Sequence, residues 1–98
     1  MYLIEKTVYF DKWLRKLKDN LAKSKILTRL KKLERGHFGD VKSLKDKLHE
    51  LKIHHGPGYR IYYTKKGDSI ILIICGGDKS TQANDIEKAK EILKELEQ

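Results

Sequence analysis

Ser69-Ile70-Ile71-Leu72-Ile73-Ile74-Cys75-Gly76-Gly77-Asp78-Lys79-Ser80-Thr81-Gln82 is the stretch whose reading decides the fold. Its six successive apolar residues, Ile70 to Cys75, do not alternate, which predicts a central strand covered on both faces. The small and polar residues that follow predict a loop. From Ser80 or Thr81 a last helix carries Ile86, Ala89, Ile92, Leu93 and Leu96 at three-to-four spacing. Immediately upstream, Lys66-Gly67-Asp68 reads as a turn. Before it, Tyr59, Ile61 and Tyr63 alternate with Arg60, Tyr62 and Thr64, as a strand with one buried face requires. Leu51 and Ile53 alternate in the same way with Glu50, Lys52 and His54, and Val41 to Lys45 predicts a further short strand.

The first forty residues follow a helical period instead. Tyr2 to Glu5 predicts an opening strand, and Thr7 is placed to cap a helix whose stripe is Phe10, Trp13, Leu14, Leu17 and Leu21. Asp19-Asn20 interrupts that stripe. A second helix from about Leu21 to Arg35 turns Ala22, Ile26, Leu30 and Leu33 inward and Lys23, Lys25, Arg29, Lys31, Lys32 and Arg35 outward. Gly36 then supplies the residue that ends it. The order β-α-α-β-β-β-β-α defines an α+β fold on a small antiparallel sheet, with an N-terminal helical hairpin and a C-terminal helix. Residues 1–98 are expected to form a single domain.

Composition narrows the function. The longest apolar run is far shorter than the ~20 residues that span a bilayer. Charges from Glu5 onward leave no secretory signal pattern, so a cytoplasmic protein is expected. One cysteine forms no internal disulfide, and its apolar neighbours make Cys75 a packing residue. The four histidines lack zinc-type spacing with cysteines, so no metal or cofactor is expected. Against 14 Asp and Glu stand 22 Lys and Arg, a formal charge of +8. A field of that sign draws phosphate backbones or an acidic protein partner.

The hairpin decides which face carries that charge. A two-residue Pro57-Gly58 loop would mix Leu51 and Ile53 with Arg60 and Tyr62. A three-residue Gly56-Pro57-Gly58 loop instead sets Ile53 opposite Ile61, Lys52 opposite Tyr62 and His54 opposite Arg60. Burial of the apolar set selects the second register. One face then displays Lys52, His54, Arg60 and Tyr62 beside Glu50, while His55 points to the other side. Such a set suits metal-free RNA cleavage. Histidine exchanges protons near neutrality, arginine grips phosphate with a planar fork, and tyrosine can stack on a base. Lys79 adds a cation near the start of the last helix, where backbone amides favour anions. Polar residues on a sheet face are also ordinary solvation, and Glu50 and Lys52 alone carry little weight.

Phe10-Asp11-Lys12-Trp13-Leu14, Gly39-Asp40-Val41-Lys42, Gly56-Pro57-Gly58-Tyr59-Arg60 and Gly76-Gly77-Asp78-Lys79-Ser80-Thr81-Gln82 together resemble the RelE/HigB superfamily of bacterial type II toxins, in the addiction-module killer protein branch. The resemblance covers nearly the whole chain. It implies a metal-independent, ribosome-dependent mRNA endonuclease (an mRNA interferase) that inhibits translation. It matches Arg60, Lys52 and Lys79 to basic positions of the family's site; with His54 from the sheet face these are the expected catalytic residues, and Tyr62, Gln82 and Lys42 are the expected RNA contacts. Gln82 and Asp85 stand where several relatives carry a catalytic tyrosine or histidine. Implied partners are the ribosome, mRNA and a cognate antitoxin of helix-turn-helix type that carries the complex to operator DNA. Two alternatives remain open from sequence: a ParE-like toxin that acts on gyrase without cutting RNA, and a basic RNA-binding module without chemistry.

Overall fold

The computed structural model describes residues 1–97. Along the chain run β1 (Leu3–Lys6), α1 (Val8–Lys16), α2 (Asn20–Glu34), β2 (Val41–Ser43), β3 (His49–Ile53), β4 (Tyr59–Lys66), β5 (Ile70–Asp78) and α3 (Gln82–Glu97). A single 3-10 turn, Lys79–Thr81, leads into α3. Each helix of the hairpin begins at a side-chain cap. The Thr7 hydroxyl accepts from the Phe10 amide at 3.1 Å, and the Asp19 carboxylate accepts from the Ala22 amide at 3.1 Å. Caps of this kind contribute about 1 kcal/mol each. Arg35 caps α2, and Gly36 follows at φ +82°, a conformation that costs glycine nothing.

The five strands lie in the order β1-β5-β4-β3-β2. Neighbours are antiparallel except β1 and β5, which run parallel with Leu3 opposite Ile70 and Lys6 opposite Ile73. The sheet is therefore mixed, not wholly antiparallel as expected. When every connection reverses the chain, an even number of reversals separates β1 from β5, so the two must run the same way. α1 and α2 cover one face with Phe10, Ala22, Ile26, Leu30 and Leu33 against Leu51, Ile53, Ile61, Ile71 and Ile73. α3 covers the other with Ala89, Ile92 and Leu93 against Leu48, Tyr62, Leu72, Ile74 and Cys75. Each large aliphatic side chain so buried is worth about 1.5–3 kcal/mol. Among the described residues no helix is long and apolar enough to cross a membrane.

Two details of the sheet depart from simple alternation. Tyr62 pairs with Cys75 but Tyr63 pairs with Ile73, so Ile74 is an extra residue in β5. The bulge explains why the apolar run does not alternate near its end: Ile74 and Cys75 both pack toward α3. It also moves Gly76 to the helical-hairpin side, where an added Cβ would lie 2.6 Å from the Trp13 ring. Gly77 turns to the α3 side, where an added Cβ would lie 1.8 Å from an Asp85 carboxylate oxygen. The β3–β4 connection is the second departure. Pairing ends at Ile53 opposite Tyr59, leaving a five-residue loop, His54 to Gly58, instead of three. Lys52 consequently stands opposite Arg60 and Glu50 opposite Tyr62. Two interactions hold the loop open: His55 Nε2 meets Asp19 at 3.0 Å, and Tyr59 packs edge-on against Trp13 with ring centroids 6.1 Å apart.

These contacts predict two measurable responses. Gly76→Ala should destabilise the domain by about 1–3 kcal/mol, because the Trp13 ring must shift in a packed core. Urea denaturation followed by Trp13 fluorescence reads this directly, and an unchanged midpoint would refute the close packing. The second response is to alkali. Burial pushes the Tyr63 phenol up to about 12 and the Cys75 thiol up to about 12. Both groups ionise more readily unfolded than folded, so stability is full below their ordinary range and falls as pH rises from about 9 towards 12. Tyr63→Phe should flatten the part of that decline above pH 10.

Candidate functional site

The even, two-residue shift in hairpin register leaves every strand side chain on its expected face. Two rows therefore cross the α3-facing side of the sheet. Lys42, Glu50, Tyr62 and Cys75 form one, and Lys52, Arg60 and Gly77 form the next. Directly opposed side chains in such ladders lie within about 4.5–5.5 Å at Cβ. Lys52 and Arg60 are thus immediate neighbours. Lys79 joins them from the turn after β5: its Cβ is 3.6 Å from the position a Gly58 Cβ would take, and an Arg60 guanidinium nitrogen is 2.9 Å from the same point. Gly58, at φ +78°, leaves the space into which Arg60 folds.

Arg60 is only 9% exposed, and its Nη1 donates to the Gly58 carbonyl at 2.8 Å. Asp78 lies near enough for Arg60 to help hold its carboxylate below the ordinary range, although the Ser80 hydroxyl is the larger cause. Lys52 is half-buried, while Lys42 and Lys79 are exposed. The middle of the first row is dry. Glu50 and Tyr62 are fully buried, and Gln82, the first residue of α3, donates its side-chain amide to Glu50 at 2.7 Å. Burial, and then the negative charge of Glu50, push the Tyr62 hydroxyl well above its ordinary pKa, so the phenol stays protonated. The Tyr62 hydroxyl lies against the Glu50 carboxylate, and the Arg60 Nε is buried without a protein partner. Buried polar atoms are ordinarily satisfied, so this part of the guanidinium marks a place built for polar chemistry.

The seven residues suggested by sequence thus separate into groups. Arg60, Lys52 and Lys79 come together. Lys42 and Gln82 flank them on the same face, at the open edge and under α3. Tyr62 is on that face too, but α3 closes over it and removes its ring from any base. His54 is drawn away. It lies beyond the last paired residue, hydrogen-bonded to Asp40, and lines a depression with Lys25, Thr28 and Lys32 of α2. The cause is the longer loop, which takes His54 out of the alternating strand. Sequence reading undervalued two residues. Glu50 looked like a solvated side chain on the sheet face and is instead the buried acceptor that ties α3 to β3. Asp85 accepts the Thr81 hydroxyl at 2.5 Å and occupies the space over Gly77. The Gly76-Gly77 doublet was the available signal for that close approach.

Comparison with known proteins agrees with this architecture. The family model described as "Phage derived protein Gp49-like (DUF891)" matches residues 12–96. A protein of Haemophilus influenzae (strain ATCC 51907 / DSM 11121 / KW20 / Rd), itself uncharacterized, is 48% identical over 93 residues, spanning 95% of this chain and 94% of its own. The chain belongs to the phage-derived Gp49-like family. Its fold matches that of E. coli toxin RelE, seen in the free state as a double arginine-to-alanine mutant. The TM-score is 0.69 at 17% identity, over 91% of this chain and 93% of RelE.

Gln82→Leu should cost about 1–3 kcal/mol, because it leaves a fully buried Glu50 oxygen without its donor. Glu50→Leu with Gln82→Leu should cost less than the two single changes summed, since no buried polar group is then stranded. A urea-denaturation cycle measures the coupling. Strict additivity would show that the Glu50–Gln82 bond does not organise the site.

Proposed function

We propose that this chain is the toxin of a type II toxin–antitoxin pair and that it cuts mRNA on the ribosome without a metal. One observation carries the reading: Lys52 and Arg60 stand side by side on a RelE-type sheet with Lys79 above them. Cleavage through the RNA 2′-hydroxyl builds negative charge on the phosphorane, and a fixed guanidinium flanked by two ammonium groups is suited to hold it. Lys42 and Gln82 extend the polar surface on either side for the RNA chain. The partner implied by this role is an antitoxin of helix-turn-helix type, through which the complex would reach operator DNA.

One observation favours a ParE-like role on gyrase instead. His54 is held at Asp40, so the histidine expected to exchange a proton is drawn away from Arg60, and the Tyr62 ring expected to contact RNA is buried.

A purified translation extract separates the two. The nuclease reading expects codon-positioned mRNA cuts by primer extension, and Arg60→Ala should lower the cleavage rate roughly a hundredfold, about 3 kcal/mol of transition-state stabilisation. Lys52→Ala and Lys79→Ala should act in the same direction. Arg60→Lys, which keeps the charge but not the fork, should recover only part of the rate. Intact mRNA with gyrase-dependent DNA breaks would instead establish the second reading.

A further inference from the structure

The charge of this protein is not centred on the candidate site. Residues 1 to 40 hold eleven Lys and Arg against five Asp and Glu, a net +6 of the chain's +8. Residues 41 to 98 hold eleven against nine, a net +2. The excess therefore belongs to the helical hairpin, on the opposite face of the sheet from Arg60. On α2 it is ordered. Lys25, Arg29, Lys32 and the capping Arg35 follow four-, three- and three-residue steps, which place them on one stripe about 15 Å long.

Two adjacent depressions flank this stripe and share Arg29 and Lys32. His37 lines the first and His54 the second. Asp40 is the one acidic residue among their lining residues, and it is engaged with His54. Lys25, Lys32 and Arg35 are exposed. Arg29 is fixed by donating to the carbonyls of Lys52 at 2.8 Å and Phe38 at 3.0 Å. The stripe thus has one hydrogen-bonded cation and three exposed ones. Neither depression is lined by Phe, Tyr or Trp, and of the two lining histidines His54 is engaged with Asp40, so the surface offers little on which unpaired bases could stack. A straight row of cations with so few stacking groups suits the phosphate backbone of a helix rather than a single strand.

We propose that the Lys25–Arg29–Lys32–Arg35 stripe docks the phosphate backbone of double-helical RNA, as a surface separate from the Arg60 face. The RNA assignment rests on the nuclease reading above, since that reading brings the protein to a particle rich in folded RNA. The stripe grips the helix, and the face across the sheet is left free for a single strand.

Fluorescence anisotropy with a short blunt RNA duplex, over a range of salt concentrations, tests this on the intact protein. The variant combines Lys25→Ala, Lys32→Ala and Arg35→Ala and spares Arg29. The reference combines Lys45→Ala, Lys88→Ala and Lys94→Ala, which removes the same charge from exposed positions elsewhere. The stripe variant should bind at least about tenfold more weakly, with a log–log salt slope shallower by about two, because each lost phosphate contact removes somewhat less than one. The reference should change much less, and thermal melts should show all three proteins folded. Equal weakening by both triple variants would mean that binding follows net charge, and the stripe would be rejected. Absence of duplex binding by the wild type would reject it as well. Tighter binding to a DNA duplex of the same sequence would overturn the RNA assignment. Arg60→Ala should bind the duplex like the wild type, so a failed nuclease reading and a failed docking surface give different results.

Discussion

The extra residue in β5 is the constraint on which the rest of the structure depends. A strand apolar on both faces can be covered by helices on both sides, but regular alternation alone would not bring each helix close at the right level. By inserting Ile74, the chain turns Ile74 and Cys75 together toward α3 and Gly76 back toward α1. The Trp13 ring then lies on Gly76 and the Asp85 carboxylate on Gly77, two close approaches on opposite faces within two residues. A side chain at either position would push its helix away from the sheet. Thr7 adds to the same junction: its amide donates to the Ile73 carbonyl at 3.0 Å while its side chain caps α1. β1, α1 and β5 are thereby locked at one point.

The candidate site is arranged against stability. Like charges directly opposed in an antiparallel ladder are unfavourable, by up to about 1 kcal/mol, and Lys52 faces Arg60. Arg60 is also almost wholly buried, and burying a charge is costly unless it is paired. The structure compensates in part, through the Gly58 carbonyl and the nearby Asp78. Arg60 Nε remains without a protein partner. An arrangement selected for stability alone would have replaced such a group with an apolar one. An anion beside Arg60 would relieve both the repulsion and the uncompensated charge, which is why the cluster reads as a binding face and not as decoration of the sheet.

Most of the fold was legible because its determinants are local and periodic. Thr7, Asp19-Asn20 and Gly36 mark helix limits through their own side chains or backbone freedom, and the alternating strands reveal their inner faces. Three features were not legible in this way. The parallel β1–β5 pair depends on the parity of all the intervening connections. The bulge at Ile74 hides in an apolar run that carries no alternation to interrupt. The five-residue hairpin loop depends on Asp19 and Trp13, which are distant in sequence and capture His55 and Tyr59. Because that last error moved the register by two residues, Lys52, Arg60, Tyr62 and Glu50 kept their common face. His54 did not, since it left the strand altogether. The burial of Glu50 and Tyr62 was invisible for a related reason: it is imposed by α3, some twenty to thirty residues later in the chain.

The two basic regions act on separate length scales. The molecule measures 34 × 29 × 22 Å, whereas charges at physiological salt are screened over about 8 Å. Charge on the exposed stripe of α2 is thus screened on the solvent side, while Arg29 lies one strand backbone away from the Lys52–Arg60 pair. The material link between the regions is Arg29, whose guanidinium bridges the Lys52 carbonyl of β3 and the Phe38 carbonyl of the loop before β2. Those bonds hold the backbone of Lys52 from the α2 side while its side chain points to the other face. β3 is thereby in contact with Arg29 of α2 on one side and carries Lys52 of the Lys52–Arg60 pair on the other. Arg29, fixed by these two bonds, sets the offset between the basic stripe of α2 and the Lys52–Arg60 pair.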